Sequence, residues 1–599
     1  MNKIHMKNYP KLAIRPVIDG RMGGIRESLE EKTMAMAQSA KEFIESNLRY
    51  ADGTPVQCYV VSRTIGGRGD AGAVENELAG QNIIGSLTVT PCWCYGTETL
   101  DLNPNTIKAI WGFNGTERPG AVYLAAAMAG YAQKGLPAFK IYGQEVQELD
   151  DNSIPEDVQE KILTFARGVF AVGQMKGKSY VNLGASAMGI AGSQVDSHLY
   201  NDYLGMGVEF VDMTEILRRI TLGIYDEAEY EKALSWIKAN CPEGLDINAG
   251  KDFPEIIKKS KVVPADKDWE FIAKQAIIVR DILFGNPKLA EIGWEEEARG
   301  RNAIAGGFQG QRQWTDWLPN GDFTEAIMAS TFDWNGPRPV TAFATENDTL
   351  NGASMLFGTL LTNKAPIFSD VRTYWSPESV ERVTGKKLTG KAANGVLHLI
   401  NSGASALDWT AAAKDEKGSG TTKEFWNMTE EDVKACLEAT DWCRANYEYF
   451  RGGGFSSHFK TNSEMPVTMI RINIIDGIGP TLQLAEGWTC VLDPEVHHTL
   501  DMRTDKTWPT TWFAPRLGEA GFESVYDVMN HWGANHGATV QGHVGADVLA
   551  LAAMLRIPVA LHNVPSEKIF RPAMYDGFGT KNLEAADFEA SKSLGPFYK

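Results

Sequence analysis

The stretch Tyr180-Val-Asn-Leu-Gly-Ala-Ser-Ala-Met-Gly189 joins a short apolar run to a turn of small residues. A run of this kind is typical of a strand that is buried on both faces of a parallel sheet. A second strand is predicted at residues 208–211, and a long, charged helical stretch follows over residues 214–280, with a loop around residues 242–250. The run at residues 340–345 is predicted to be the strand that closes this α/β unit.

The first 175 residues alternate in the same way. One helical run starts at Pro119, and proline suits the first turn of a helix because its missing N–H would have no partner there. This alternation predicts a parallel sheet with helices on both of its faces. The predicted strands are residues 12–18, 56–62, 86–90 and 138–142, and the helical runs include residues 25–47 and the run that starts at Pro119.

The last third of the sequence has a different character. Predicted helices become fewer, and Thr, Trp, Gly and His become frequent. Residues 468–475 and 488–492 have the pattern of antiparallel strands, while residues 411–422 form a polar stretch that is typical of a loop. We therefore predict a mixed or mainly β domain at the C-terminal end.

Charge and cysteine content disfavour several classes of protein. The 58 Lys and Arg against 76 Asp and Glu give a net charge of -18, which disfavours a nucleic-acid or anionic-membrane surface. The seven cysteines form no CxxC pair, and we expect them to be reduced and mostly buried. No signal peptide or membrane span is predicted. We expect a cytoplasmic protein with no nucleic-acid or membrane partner.

Familiar nucleotide-binding and catalytic motifs are incomplete or absent. Lys176-Gly-Lys-Ser179 resembles the end of a phosphate-binding P-loop, but the position of the required upstream glycine is occupied by Val172. No G-x-G-x-x-G fingerprint directly follows a predicted strand, which disfavours a nicotinamide dehydrogenase. The G-x-S-x-G and H-E-x-x-H motifs are also missing from the sequence.

Two carboxylates follow short apolar runs. Glu346 comes directly after Val340-Thr-Ala-Phe-Ala-Thr345, and Asp370 comes directly after Pro366-Ile-Phe-Ser369. Ligands of open α/β sheets bind beyond the carboxyl ends of strands, and two buried neighbouring acids need a cation or a shared proton. A divalent metal would meet that need. Acids at strand ends more often cap helices or meet solvent, so the pattern alone leaves both interpretations open.

A histidine would complete a metal site. His536 is a candidate because small residues flank it and allow close approach, but His543 is an equal candidate on pattern alone, and His531 also competes. Asp348 is a rival acid, which we interpret as the cap of a helix over residues 350–361. A Glu, an Asp and a His suit Mn²⁺ or Mg²⁺ better than a metal that prefers thiolates.

Sixteen tryptophans form a second signal. An indole in polar, Gly-rich surroundings can stack on the C–H groups of a sugar while neighbouring polar groups bind its hydroxyls. Burial in a core is the more common role for any one tryptophan. The tryptophans in such surroundings are Trp93, Trp111, Trp508 and Trp512.

With these residues the sequence resembles the L-fucose isomerase family, whose members are also called D-arabinose isomerases. The resemblance spans nearly the whole chain, and several of its motifs are long and rich in Trp and Gly. The matching stretches are Ile14-Arg-Pro-Val-Ile-Asp-Gly20, Thr90-Pro-Cys-Trp-Cys-Tyr-Gly96, Ile110-Trp-Gly-Phe-Asn-Gly-Thr-Glu-Arg-Pro119, Gly306-Gly-Phe-Gln-Gly-Gln311, Ala344-Thr-Glu-Asn-Asp348, Asp370-Val-Arg-Thr-Tyr-Trp375, Tyr449-Phe-Arg-Gly-Gly-Gly454, Thr507-Trp-Pro-Thr-Thr-Trp512 and Gly533-Ala-Asn-His-Gly537.

The resemblance implies the architecture and the metal. It implies two doubly wound α/β domains, residues 1–176 and 177–361, followed by a C-terminal, mainly β, barrel-like domain over residues 362–599. It implies a homohexamer in which neighbouring subunits share active sites. It also implies that Mn²⁺, with Co²⁺ or Mg²⁺ as possible substitutes, is bound by Glu346, Asp370 and His536.

The resemblance implies catalytic and sugar-binding roles as well. Glu346 and Asp370 would also be the catalytic acid/base pair, and Trp93 would reach into the site of a neighbouring subunit. The residues implied to bind the sugar are Arg15, Trp93, Gln309, Tyr449, Trp508 and Asn535.

The expected reaction interconverts L-fucose and L-fuculose, and also D-arabinose and D-ribulose. A proton would move between C2 and C1 through a metal-stabilised enediolate, with a metal-assisted hydride shift as the alternative. Two other classes compete: an aldolase or sugar-acid lyase that uses the same three ligands, and a periplasmic sugar-binding protein. The second would need a signal peptide and would have no paired acids.

Overall fold

A computed structural model describes residues 8–518, 522–576 and 583–599. The N-terminal sheet is built from five strands: β1 (Lys11–Pro16), β2 (Gln57–Val60), β3 (Ile83–Thr90), β4 (Ile107–Gly112) and β5 (Ala138–Tyr142). They are all parallel and run in the order β2-β1-β3-β4-β5. Its helices are α1 (Glu30–Asn47), α2 (Arg68–Leu78), α3 (Gly96–Thr99), α4 (Gly120–Gln133) and α5 (Glu156–Met175).

Both faces of this sheet are covered, as the alternation predicted. Helices α1 and α5 bury apolar residues on one face, and α2 and α4 bury theirs on the other. Strand β5 has the predicted bounds, and α4 begins directly after Pro119. Strand β4 was not predicted, because Lys108 interrupts its apolar run. Burial lowers the pKa of Lys108 to about 8, and its ammonium group donates to the carbonyl oxygen of Thr106 at 2.6 Å.

A second parallel sheet of four strands follows. It consists of β6 (Ser179–Leu183), β7 (Gly207–Val211), β8 (Ala303–Phe308) and β11 (Ala342–Ala344), while β9 (Phe332–Asp333) and β10 (Gly336–Pro337) form a small antiparallel pair. The order is β11-β8-β6-β7. The charged stretch between β7 and β8 is helical, with the predicted loop around residues 242–250 and further breaks on either side of the helix Glu255–Ser260. The helices of this region are α6 (Thr214–Leu222), α7 (Glu227–Asn240), α8 (Glu255–Ser260), α9 (Asp268–Phe284), α10 (Pro287–Glu291) and α11 (Asp322–Ala329).

The C-terminal region contains a closed antiparallel barrel of six strands, which confirms the predicted barrel-like domain. Its strands are β12 (Ile367–Trp375), β13 (Val396–Ile400), β16 (Pro466–Ile475), β17 (Gly479–Cys490), β18 (Thr510–Pro515) and β19 (His536–Gln541). The order is β16-β19-β12-β13-β18-β17, and pairing of β16 with β17 closes the barrel. A closed barrel leaves no free edge.

Shorter strands and helices surround the barrel. They are β14 (Asp441–Arg444), β15 (Phe455–His458), β20 (Val559–Leu561), α12 (Thr349–Thr362), α13 (Pro377–Thr384), α14 (Glu430–Glu438), α15 (Pro494–Asp501), α16 (Val525–His531), α17 (Gly545–Leu555) and α18 (Leu583–Leu594). Residues 411–422 contain no helix or strand, in agreement with the predicted loop. All seven cysteines are free and buried, as expected. Among the described residues, no helix combines the length and apolarity needed to cross a bilayer.

Helix α12 positions the second sheet against the barrel. It packs on β8 and β11 on one side and on β16 and β19 on the other, so nearly all of its residues are buried. The approach is close at Gly358, where an added Cβ would lie 2.3 Å from Cγ1 of Val540. The carboxyl ends of β8 and β11 are therefore fixed beside barrel strands β12 and β19.

Candidate active site

Glu346 lies at the carboxyl end of the second sheet, as predicted. The chain turns directly after β11, and Glu346 adopts a left-handed backbone conformation with φ of 58°, which costs roughly 1–2 kcal/mol in a residue with a Cβ. Its side chain is almost fully buried. Gln311 follows the neighbouring parallel strand β8, and its Nε2 donates to Oε1 of Glu346 at 2.7 Å. Adjacent parallel strands therefore bring these two side chains together.

Asp370 and His536 are direct neighbours in the barrel. They are paired across the antiparallel strands β12 and β19, and Nε2 of His536 lies 3.1 Å from Oδ1 of Asp370. The sequence pattern suggested that Asp370 ends a strand, but β12 continues to Trp375 with an irregular register between Val371 and Thr373. The carboxylate is thus presented by the wall of the barrel rather than by a strand end.

The three side chains predicted to bind a metal converge. Nε2 of His536 also lies 3.4 Å from Oε2 of Glu346. The imidazole is fully buried, and burial acts to lower its pKa. Hydrogen bonds to Asp348, Asp370 and Glu346 outweigh that effect and hold the pKa of His536 well above its usual value. Three carboxylates therefore surround the imidazole, two at Nε2 and one at Nδ1.

The donor set fits a small, hard divalent cation. Two ligands on neighbouring octahedral positions, each about 2.1 Å from such an ion, lie ~3.0 Å apart, close to the spacing between His536 and Asp370. No group of three or more His, Cys, Asp or Glu side chains in the described ranges is already spaced as a formed metal centre. Both acids instead contact Nε2 of His536 directly.

Asp348 has two roles, the predicted helix cap and a contact with His536. It caps α12, with Oδ1 accepting from the backbone nitrogen of Asn351 at 3.1 Å. Its other oxygen, Oδ2, lies 2.7 Å from Nδ1 of His536 and 2.6 Å from Nη1 of Arg471. Asp348 therefore contacts the candidate metal ligand from the side away from the two acids.

The rival histidines lie elsewhere. His543 contacts the carbonyl oxygen of Gly487 through Nε2 at 2.8 Å, and its Nδ1 lies 2.8 Å from Nη2 of Arg516. His531 is exposed at the end of α16. Of these three histidines, His536 is the one that contacts Glu346 and Asp370.

A cavity of about 730 Å³ opens directly above Glu346 and Asp370. Tyr449 and Trp508 line it, as predicted for the sugar-binding residues, with ring centroids 6.4 Å apart. The guanidinium of Arg372 lies 5.8 Å from the ring of Trp508. The cavity thus combines aromatic faces with charged and polar groups, which is the lining that a polyhydroxylated ligand requires.

Other predicted sugar-binding residues are not part of this cavity lining. Arg15 is buried within the N-terminal sheet, where Nη1 donates to Thr88 and Nη2 donates to the carbonyl oxygen of Thr99. Trp93 is 39% exposed and lines a separate cavity of about 320 Å³ in the N-terminal region. Gln309 is buried, and its Oε1 accepts from the backbone nitrogen of Ala185 at 3.1 Å.

Asn535 does reach the site, because its Nδ2 lies 2.9 Å from Nε2 of His536. Of the other tryptophans in polar surroundings, Trp111 and Trp512 are core residues. Sequence reasoning missed Gln311 and Arg372, although both lie inside the quoted motifs. Gln311 lies two residues beyond Gln309 and therefore farther past the end of β8. This spacing is the sequence signal that distinguishes the amide that reaches Glu346.

Comparison with protein families agrees with this architecture along the chain. Three family models match: L-fucose isomerase, first N-terminal domain, over residues 9–177; second N-terminal domain, over residues 178–363; and C-terminal domain, over residues 399–562. These matches, together with the two α/β regions and the barrel, identify the protein as an enzyme of the isomerase class. The chain belongs to the L-fucose isomerase family.

Curated relatives match over the full length. The chain is 78% identical over 594 residues to the L-fucose isomerase of Clostridium perfringens (strain 13 / Type A), covering 99% of this chain and 100% of the relative. It is 58% identical over 598 residues to that of Bacteroides thetaiotaomicron and 56% identical over 595 residues to that of Streptococcus pneumoniae serotype 2. Coverage is again 99% of this chain and 100% of each relative.

Proposed function

We propose that the protein is a metal-dependent aldose–ketose isomerase that interconverts L-fucose and L-fuculose. The observation that supports this most directly is that Glu346 and Asp370, which both contact His536, line a cavity with aromatic walls. The full-length similarity to proteins named L-fucose isomerase supports the choice of substrate. D-Arabinose and D-ribulose are proposed as a second pair, since one methyl group in a pocket changes binding by only about 1–3 kcal/mol.

The proposed cofactor is Mn²⁺, which Glu346, Asp370 and His536 would hold. Two carboxylates and one imidazole are donors that Mn²⁺ accepts, and Co²⁺ or Mg²⁺ can suit the same set. The bound cation would supply Lewis acidity toward the substrate's oxygens at C1 and C2.

The two carboxylates are proposed to move the protons. A proton alpha to a carbonyl is weakly acidic, so one carboxylate takes it from C2 and a proton is delivered to C1. The other carboxylate helps to move the hydroxyl proton from the oxygen at C2 to the oxygen at C1. Their surroundings differ, which suits two roles: the Glu346 side chain is 9% exposed and the Asp370 side chain 33% exposed. Gln311 holds Oε1 of Glu346 and leaves Oε2 directed at the site.

Sharing of sites within a homohexamer is proposed as well. Arg15 and Trp93 do not line the cavity of their own subunit, whereas Tyr449 and Trp508 do. Trp93 also keeps an exposed indole beside Asp19 and Arg118 in the N-terminal region. A neighbouring copy would bring Trp93 to the cavity mouth.

The substrate is tested by incubating the full-length protein with L-fucose and Mn²⁺ and identifying the product. We expect L-fuculose, and D-ribulose from D-arabinose. Two shorter fragments instead of a ketose would favour a lyase and refute the isomerase proposal.

The proton-transfer mechanism is tested by running the same reaction in D₂O. Transfer by a carboxylate that exchanges with solvent should place deuterium at C1 of the ketose. Complete retention of the C2 hydrogen at C1 would instead indicate a hydride shift.

A further inference from the structure

We propose that Asp348 is a positioning residue that fixes the imidazole of His536 with Nε2 facing Glu346 and Asp370. This inference rests on the proposed metal site. Asp348 is fully buried and is not part of the cavity lining, so it acts through His536 and not on a substrate.

The contacts of Asp348 define the ring orientation. Oδ2 lies 2.7 Å from Nδ1 of His536, while Oδ1 accepts from the backbone nitrogen of Asn351. An ionised carboxylate only accepts hydrogen bonds, so Nδ1 must carry a hydrogen. Nε2 is then the nitrogen whose lone pair is available to a cation. Carboxylates that bind the far nitrogen of a metal-ligating histidine in this way tune both its orientation and its basicity.

Arg471 keeps the Asp348 carboxylate in place. Its Nη1 lies 2.6 Å from Oδ2 of Asp348, its Nη2 donates to the carbonyl oxygen of Gly192 at 2.8 Å, and both charged side chains are fully buried. A buried ion pair contributes little net stability compared with apolar residues of the same volume. The Arg471–Asp348–His536 chain is therefore better explained by the orientation that it imposes on the ring.

The hydrogen-bonded row Arg471–Asp348–His536 also connects the second α/β region to the barrel. Asp348 is the N-cap of α12, which belongs to the second α/β region, while Arg471 and His536 lie on barrel strands β16 and β19. The ring of His536 thus receives its orientation from the α/β side, where Glu346 is also located. Its position along the barrel is set by pairing with Asp370.

The variant Asp348→Asn separates positioning from packing, because Asn has nearly the same shape and is an equally good helix cap. With its oxygen facing Asn351, its NH₂ group would meet two other donors, Nδ1–H of His536 and Nη1 of Arg471. The ring is then expected to move its hydrogen to Nε2, where it blocks metal binding. Loss of such an outer contact typically weakens metal binding by about 10–100-fold.

A matched control is Ser354→Ala. Ser354 lies on the same helix, donates to the carbonyl oxygen of Leu350 at 2.8 Å and accepts from the backbone nitrogen of Ile472 at 2.9 Å. Its replacement weakens the same contact between α12 and β16 without touching His536. Any loss of metal binding that comes only from loosening this contact will therefore appear in Ser354→Ala.

The experiment titrates metal-stripped, full-length protein with Mn²⁺, detects free Mn²⁺ by electron paramagnetic resonance, and records the unfolding temperature of each metal-free form. We expect Asp348→Asn to raise the Kd for Mn²⁺ by about 10–100-fold, and Ser354→Ala to retain the wild-type Kd even where its unfolding temperature falls further. A wild-type Kd in Asp348→Asn, or an equal loss in Ser354→Ala, would overturn the positioning role alone. Absence of Mn²⁺ binding by the wild type would overturn the proposed function itself.

Discussion

His536 and Asp370 face each other across two paired barrel strands, with Nε2 of His536 3.1 Å from Oδ1 of Asp370. Their separation is set by the backbone register of β12 and β19. Glu346 approaches from a different domain, and its position depends on how α12 seats the second sheet against the barrel. The proposed centre therefore has one rigid pair and one ligand whose position depends on packing between domains.

Glu346→Gln should remove turnover more completely than metal binding. The amide keeps an oxygen that can coordinate a cation, but it cannot accept a proton from C2. We expect kcat to fall by about 10²–10⁴-fold, the usual contribution of a general base, with a much smaller rise in the Kd for Mn²⁺. Both quantities are measured on the same preparation, with kcat at saturating Mn²⁺. Equal losses of rate and metal affinity would leave the acid/base role unsupported.

Gln311→Ala should reduce kcat/KM because Oε1 of Glu346 loses the amide that holds it at 2.7 Å. A hydrogen bond to a charged group contributes about 1.5–3 kcal/mol, which corresponds to a loss of about 10–100-fold. Gln309→Ala is the matched control, since Gln309 contacts Ala185 and Gln313 instead. A larger loss in Gln309→Ala than in Gln311→Ala would contradict this assignment and favour the sugar-binding role first predicted for Gln309.

Trp508→Ala should raise KM by about tenfold, equal to about 1.4 kcal/mol, because the cavity loses an aromatic wall. Its unfolding temperature should change little. Trp512→Ala should do the reverse, since Trp512 is buried and stacks on His398 at 4.3 Å between ring centroids. Truncating a core tryptophan costs about 3–5 kcal/mol. Steady-state kinetics and thermal unfolding of both variants decide whether the cavity is the sugar site.

His398 should make the barrel sensitive to acid. Burial, together with the nearby Arg372 and His497, lowers the pKa of His398 to about 3 from an ordinary value of 6.5. Between these values the unfolded chain binds a proton that the folded protein excludes. Because of His398, the free energy of unfolding is highest above pH 6.5 and decreases as the pH falls toward 3. The decrease between pH 7 and pH 5 is about 2 kcal/mol.

The measurement compares unfolding temperatures at pH 7 and pH 5 for the wild type, His398→Phe and the exposed-site control His531→Phe. Phenylalanine preserves the stack on Trp512 and does not titrate. We expect a smaller acid-induced decrease in His398→Phe and an unchanged one in His531→Phe. Identical pH dependence in all three proteins would refute the role of His398.

Local patterns in the sequence predicted the α/β alternation and the position of Glu346. Strand β5 and the start of α4 were recognised because apolar runs and Pro119 determine them locally. Strand β4 was not predicted because Lys108 interrupts its apolar run, and the pattern does not reveal that the buried ammonium group donates to the carbonyl oxygen of Thr106. The barrel itself was expected from family resemblance alone, and its closure by pairing of β16 with β17 was not predicted.

The candidate site was only partly predictable for a related reason. The pairing of Asp370 with His536 depends on strand register, and the choice of His536 over His543 depends on which ring the barrel turns toward Glu346. Pattern reasoning correctly assigned Asp348 to a helix cap but could not reveal that its second oxygen contacts His536. Contacts between distant segments decide such roles, and spacing along the chain does not encode them.

The central claim is that Glu346, Asp370 and His536 form a metal centre required for isomerisation. The most direct measurement is ketose formation from L-fucose by the metal-stripped protein, before and after restoration with Mn²⁺. We predict near-complete loss of activity on stripping and recovery with Mn²⁺, but no recovery in His536→Ala at the same Mn²⁺ concentration. Full activity in the stripped wild-type protein would contradict the account.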